Sequence, residues 1–595
     1  MTMPRGSGPG VFRVWAPDAE RVCVVVAEKT YEMTQTAAGD GWWEVFVGGA
    51  GHGEDYAFRI DGGEPRPDPR SLWQPYGVHG PSRTYDHHQF AWHDQEWRGR
   101  LLPGSVLYEM HIGTFTTEGT FDAAIERLDH LVALGIDSVE LLPLASFDGP
   151  HGWGYDGVDL YAVHEPYGGP DGLKRFVDAC HVRGIGVVLD VVYNHLGPSG
   201  NYLGEFGPYF TETHSTPWGA AVNLDAAGSD EVRHWLIDNA VSWLRDFHLD
   251  GLRLDAVHAL VDTRAMHILE EMAFDVDVLA AHVGRPLFLI AESDLNDPRL
   301  VRAREAGGHG LDAQWADDVH HALHATLTGE RQGYYVDFGS LETLAEAMQR
   351  VFVHAGTPST FRGRHHGRPF DPSVTPGWRF VTYLQNHDQV GNRACGDRPT
   401  ATLSPGLVKI GAALLLCSSY TPMLFMGEEW GAATPWMFFT SFPDPELAEA
   451  VRSGRRAEFA AHGWSPDEVA DPQDPSTFEA SRLDWAEMNK DLHQEYFGWY
   501  RQLIDLRRAN PELTDGRLDR VRCVHDEEDG GDGVGWFVLY RGSIAVACNL
   551  GKARRTVPLD GSPTNVLLSS ARGFVFRHNE IELEAESVAI VTIAP

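Results

Sequence analysis

The sequence predicts a multidomain chain built on a central (β/α)8 barrel (a TIM barrel), with an N-terminal β-sandwich and a C-terminal β domain. Three observations carry this. The 595 residues exceed what one hydrophobic core can organise. Short apolar runs alternate with helix-length segments eight times between about residues 105 and 505, the rhythm of a closed parallel barrel. Both ends of the chain switch instead to short alternating runs separated by Gly and Pro, the pattern of antiparallel sheets.

Taken in order, the first domain spans about residues 1–95. Its runs VFRVWAP, VCVVVA, WWEVFV and DYAFRI read as half-buried strands, because successive side chains of a strand point to opposite faces. GGAGHG at 48–53 is predicted as a turn between two of them; no helix follows it, so dinucleotide binding is not expected. DHHQFAWHDQEWRGRLLPG reads as a linker. The barrel domain is placed at 96–510. Its strands are SVLYEMHI, SVELLPL, GVVLDVVYNH, GLRLDAV, LFLIAES, LDAQWA, RFVTYLQNHD and TPMLFMGEE, with helices over 121–134, 171–183, 229–247 and 263–282. Residues 196–228, rich in Gly, Pro and aromatics, follow the third strand and are expected as a loop excursion on the C-terminal face. RSGRR at 452–456 is predicted as a solvated helix face. The tail, 511–595, alternates again in VGWFVLY, IAVACNL and SVAIVTI, with the acidic HDEEDGGDG (525–533) as a hairpin loop.

Charge narrows the function. With 48 basic and 85 acidic residues the chain carries −37. Nucleic acid and anionic membranes need a basic footprint, so neither is expected as a partner, whereas a neutral substrate is not repelled. Six cysteines are scattered without a C-x-x-C, which suits reduced thiols in a cytoplasm. The start, MTMPRGSGPGVFRVW, has no apolar signal region. The apolar stretch IGAALLLC is too short to span a bilayer.

The chemistry is read from the strand ends. DGLRLDAVHAL (250–260) is a core-like strand that carries Arg253 and Asp255. Residues two apart share a face, so the pair points one way, and a buried charge needs a partner or a task. Other strands end in Asn194–His195, in Glu292 and in Asn386–His387–Asp388. Three carboxylates, two histidines and an arginine thus converge on the rim where barrel active sites lie. Two carboxylates flanking a glycosidic bond are the equipment for sugar transfer or hydrolysis. Arg253 would aim Asp255 as the nucleophile; Glu292, with a raised pKa, would protonate the leaving oxygen. Asp388 and the histidines could grip ring hydroxyls.

DVVYNH (190–195), GLRLDAVHA (251–259), AES (291–293) and QNHDQ (385–389), in this order, resemble the four signature regions of the α-amylase family. The resemblance implies that Asp255 is the nucleophile, Glu292 the acid/base and Asp388 the carboxylate that stabilises the transition state, with Arg253, His195 and His387 beside them. Tyr155 of GWGYD matches the family's stacking tyrosine. The intact carboxylates weigh against a binding-only relative. Further stretches, among them HGWGYDGVDLYAVHEPYGGPDGLKRF, DAQWADDVHHALH, FMGEEWG and DPQDPSTFEASRLDW, resemble the branch of this family that acts on maltooligosyltrehalose. That implies hydrolysis of the α-1,4 bond next to the terminal trehalose, with trehalose and a shortened glucan as products; a glucan branching or debranching enzyme is the alternative. The family context also implies a companion maltooligosyltrehalose synthase, without physical contact. The early VFRVWAPDAERVCVVV domain fits a carbohydrate-binding-like module. Trp153 and Trp218 are expected in rim loops as sugar contacts, and Glu428 and Glu429, just past strand eight, as ligands of trehalose hydroxyls. No cofactor or metal is expected. Asn194 matches a calcium-binding position of many α-amylases, but companion acidic ligands are not evident. His320 and His324, at helical i, i+4 spacing, lack the H-E-x-x-H glutamate and are read as a packed or solvated helix.

Overall fold

The computed structural model describes residues 6–216, 219–461, 469–526 and 535–594. The barrel closes as the sequence predicts. Its strands are β1 (Leu107–Met110), β2 (Ser138–Leu141), β3 (Gly186–Val191), β4 (Gly251–Leu254), β5 (Phe288–Ala291), β6 (Ala313–Trp315), β7 (Phe380–Tyr383) and β8 (Thr421–Phe425). They pair in chain order into a closed sheet. Every pairing is parallel, β8 meeting β1 through Met423 opposite Leu107. Strands buried on both faces need near-continuous apolar sequence, and all residues of the eight strands are buried.

The predicted helices form with shifted ends. The segment 121–134 divides into Phe121–Ile125 and Leu128–Leu134. The helix expected from 263 begins at Ile268. Residues before it instead clasp neighbouring loops: Asp225 holds Thr263, and Arg233 bonds Asp262 and the Met266 carbonyl. The excursion after β3 contains a hairpin, Phe210–Thr216 with Gly219–Val222. The helix Pro445–Ala461 carries RSGRR with Ser453, Gly454 and Arg456 exposed.

The N-terminal domain is a sandwich of a three-stranded sheet (Val11–Trp15, Trp42–Phe46, Thr34–Gln35) and a four-stranded one (Lys29–Glu32, Val22–Val26, Asp55–Ile60, Ser82–Arg83). It docks through buried polar bonds. Arg70 reaches Tyr161 (2.8 Å) and Asp238 (2.9 Å), and the Trp235 indole donates to the Pro69 carbonyl at 2.9 Å. The C-terminal domain packs a five-stranded sheet with a three-stranded one. Its Arg541 donates to the Cys417 carbonyl of the barrel domain at 3.0 Å. The acidic 525–533 stretch falls mostly outside the described residues, though its flanking strands pair antiparallel, Asp526 opposite Trp536.

At the base of the barrel Asp250 ties four segments together. It accepts from the Val187 amide, the Trp97 indole, Arg285 and His181 at 2.8–3.0 Å. Among the described residues no helix is long and apolar enough to cross a membrane.

Candidate active site

β4 begins at Gly251 because the Phe288 ring of β5 lies against it; a Cβ there would sit 2.4 Å from that ring. Two residues on, Arg253 projects into the barrel, with its guanidinium 4.2 Å over the Trp315 ring of β6. A buried guanidinium needs acceptors. Asp190, at the end of β3, offers both oxygens at 2.9 and 2.8 Å, and Asp255 offers Oδ1 at 2.8 Å. Glu292 Oε2 lies 3.9 Å from the other terminal nitrogen. One cation therefore gathers the carboxylates of three adjacent strands.

The remaining oxygen of Asp255 is also fixed. Asn194 Nδ2 donates to Oδ2 at 2.7 Å and to the Asp255 carbonyl at 3.0 Å. Asn194 Oδ1 meets His195 Nδ1 at 2.5 Å, and His195 Nε2 lies 3.0 Å from the Tyr155 carbonyl. Burial lowers the His195 pKa, while Asp255 and the Tyr155 carbonyl act in the opposite sense.

Glu292 accepts the backbone N–H of Ala256 on Oε2 at 2.6 Å. Ala256 makes this bond from a left-handed conformation, φ +39°, which costs a non-glycine residue about 1 kcal/mol. Burial pushes the Glu292 pKa up to about 8; Arg253 opposes the rise, and Asp255, Asp317 and Asp388 add to it. The group thus keeps its proton at neutral pH. With Oε2 occupied as an acceptor, that proton belongs on Oε1.

On the opposite wall His387 is clasped by Glu109 of β1. Nδ1 lies 2.5 Å from Oε1, and the backbone N–H donates to Oε2 at 2.8 Å. Burial alone would lower the His387 pKa, but Glu109 outweighs it and the net shift is upward. His387 Nε2 meets the Tyr155 hydroxyl at 2.8 Å, and that hydroxyl donates to Asp190 at 2.6 Å. The Tyr155 and His387 rings stack at 5.2 Å. Asp388 is exposed in the first turn of a short helix, held by Asn392 at 2.6 Å.

The sequence places Asp255, Glu292, Asp388, Arg253, His195 and His387 at strand ends and Tyr155 in the GWGYD stretch, and the fold brings all seven to one rim. Three other expectations, at Trp153, Glu428 and Glu429, differ. Trp153 is 6 % exposed; its indole donates to the Met437 carbonyl and its ring stacks on Trp436 and abuts His387. It buttresses His387 and offers no free face to a sugar. Trp218 lies outside the described residues. Glu428 and Glu429 are both 0 % exposed. Tyr500 and the Phe425 amide satisfy Glu428; Tyr108 and His130 satisfy Glu429. The chain turns inward after β8 into a 3-10 turn, Glu428–Trp430, so both carboxylates point into the wall behind the barrel and cannot reach trehalose hydroxyls.

Sequence reasoning missed the roles of Glu109, Asp190, Trp315, Asp317 and Tyr383. Asp317, just past β6, accepts from the Tyr383 hydroxyl, and Gln389 Nε2 approaches it at 3.5 Å. Burial raises the Asp317 pKa to about 6. A lone acid inside an apolar run, as in SVLYEMHI, was the available signal for Glu109. His320 and His324 pack on Tyr335 and Glu330. Among the described residues no group of three or more His, Cys, Asp or Glu side chains is arranged to hold a metal ion.

Comparison with known proteins matches residues 87–214 to the alpha amylase catalytic domain. Residues 3–77 match carbohydrate-binding module 48 (isoamylase N-terminal domain), and 520–590 match a domain of unknown function. The malto-oligosyltrehalose trehalohydrolase of Arthrobacter ramosus is 56% identical over 552 residues, covering 92% of this chain and 94% of its own. The chain belongs to the malto-oligosyltrehalose trehalohydrolase family. A trehalohydrolase relative from Mycobacterium tuberculosis (strain ATCC 25618 / H37Rv) is 52% identical and covers 98% of this chain and 99% of its own. A crystal structure of a Salmonella typhimurium protein described as an alpha amylase superposes with a TM-score of 0.88 at 37% identity, covering 98% and 97% of the two chains. The fold also extends to an Anoxybacillus pullulanase, with a TM-score of 0.73 at 17% identity over 100% of this chain and 88% of that one. The trehalohydrolase family thus sits on an α-amylase-type catalytic barrel, as the four motifs imply.

Proposed function

We propose that this chain hydrolyses the α-1,4-glucosidic bond next to the terminal trehalose of maltooligosyltrehalose, with retention, releasing trehalose and a maltooligosaccharide. The observation that supports this most is similarity over nearly the whole chain to trehalohydrolases, on a barrel whose rim gathers Asp255 and Glu292 around one guanidinium.

The proposed steps are these. Asp255, aimed by Arg253 and Asn194, attacks the anomeric carbon from below. The bond from that carbon to the trehalose oxygen breaks, and the Oε1 proton of Glu292 passes to the departing oxygen. Glu292, now a carboxylate, takes a proton from water as the water oxygen attacks the same carbon and frees Asp255. Asp388 grips ring hydroxyls and strengthens that grip as the ring flattens. His195, His387 and Tyr155 line the same ring, braced by Glu109 and Asp190. A synthase forming the 1,1 linkage would supply the substrate. A cytoplasmic setting suits six cysteines among which no disulfide forms.

The test is incubation with maltooligosyltrehalose, maltopentaose and a branched glucan. Rapid trehalose release from the first alone is expected, with the new reducing end appearing first as the α anomer by NMR. Branch-point cleavage or transfer would instead identify a branching or debranching enzyme, and a β anomer would overturn the retaining mechanism. Asp255→Ala is expected to lower kcat by several orders of magnitude with the circular dichroism spectrum unchanged.

A further inference from the structure

Among its contacts with the rim loops, the N-terminal domain meets the excursion after β3 through the segment 76–79. Its loop carries Tyr76, Val78 and His79. Val78 packs so tightly on Gly200 of the excursion that a Cβ there would lie 2.3 Å from the Val78 side chain. His79 Nδ1 meets the Tyr202 hydroxyl at 2.6 Å, and Nε2 lies 3.5 Å from Asp148 Oδ2. Ser199 donates to the same Asp148 oxygen at 2.6 Å. Asp148 belongs to the loop after β2 that leads to Tyr155, and Ser199 and Tyr202 to the loop after β3 that begins with His195. The cluster thus joins both loops that line the catalytic ring.

Tyr202 meets His79 directly, Tyr76 stands three residues before it in the same N-terminal loop, and each tyrosine is backed by an arginine. Arg66 lies 4.2 Å over the Tyr202 ring. Arg83 lies 5.2 Å over the Tyr76 ring, donates to its hydroxyl at 2.8 Å, and is itself fixed by Asp55 at 2.6 Å. Tyr76 is nevertheless 60% exposed and His79 has a side chain 53% exposed. A rigid aromatic ring with a solvated face, beside imidazole and hydroxyl groups, suits the apolar face and polar edge of a sugar. Its place fits too. In a pyranose ring the C1 and C4 oxygens leave on opposite sides. Glu292, at the end of β5, marks the C1 side, so the chain attached through C4 leaves across the rim, toward the loops after β1 and β2.

We propose that Tyr76, His79 and Tyr202 form a glucan-binding platform across the domain junction, holding the part of an α-1,4-glucan chain that extends beyond the ring being cleaved. The kinetic consequence rests on the reaction proposed above. Tyr76→Ala is expected to lower kcat/KM for trehalose release about two- to tenfold on maltohexaosyltrehalose, and to leave it unchanged on maltosyltrehalose. An equal loss on both substrates, or no loss on either, overturns the platform. Calorimetry in the Asp255→Ala background separates the two ideas. There the Tyr76→Ala change is expected to weaken maltoheptaose binding by a similar factor without altering that of maltotriose, and unchanged maltoheptaose affinity overturns the platform. If the unaltered protein releases no trehalose, the proposed reaction fails, while this binding measurement still decides the platform.

Discussion

At the scale of single residues, the site is organised by charge. Arg253 bonds Asp190 and Asp255 and approaches Glu292, yet Glu292 still holds its proton because burial and three neighbouring carboxylates outweigh one cation. Asp317 is the neighbour that the proposed chemistry does not consume. Removing its charge makes deprotonation of Glu292 easier, so the acid's pKa falls. In the free enzyme kcat/KM should decline as pH rises through about 8, and Asp317→Asn should move that basic limb to lower pH by about one unit. A pH–rate profile checks it; a purely structural role for Asp317 would lower the rate without moving the limb. Arg253, Asp255, Glu292 and Asp388 were legible in the sequence because they stand at strand ends inside short motifs. Glu109 and Asp317 were not, because their partners His387 and Tyr383, both from β7 and its end, meet them only once the barrel closes.

At the scale of elements, each barrel strand was readable as an apolar run, even the three-residue β6. What followed each strand was harder. Position after β8 suggested rim carboxylates, but Glu428 and Glu429 turn inward, because Tyr108, Tyr500 and His130, distant in sequence, wait to receive them. The opposite end of the barrel has its own anchor in Asp250, which is 0% exposed. Asp250→Ala would leave Arg285 without its buried counter-charge and His181 with Asp94 alone, a loss of about 3–5 kcal/mol. Chemical denaturation should show it, while kcat of the folded fraction at 25 °C should stay near that of the unaltered protein, since Asp250 lies at the far end from the chemistry.

At the scale of the whole molecule, the two flanking β domains were legible by rhythm, but not how they attach. Domain docking rests on single side chains such as Arg70, whose partners Tyr161 and Asp238 lie far along the chain. Arg70→Ala is expected to speed hydrogen exchange in the N-terminal strands while exchange in β1–β8 stays unchanged; uniform protection in both would show that the docking does not depend on this residue. The net charge of −37 does not oppose binding, because the proposed ligand is neutral. The wall behind β8 bears on durability. Burial raises the sealed Glu428 to about pKa 8, far above its value in an unfolded chain, so between roughly pH 4.3 and 8 the unfolded state has lost a proton that the native state keeps. This group's contribution to stability therefore falls as pH rises across that interval, and Glu428→Gln should flatten the slope of melting temperature against pH. The catalytic acid and this hidden one lose their protons in the same alkaline range, so a preparation kept there would forfeit turnover and shelf life together.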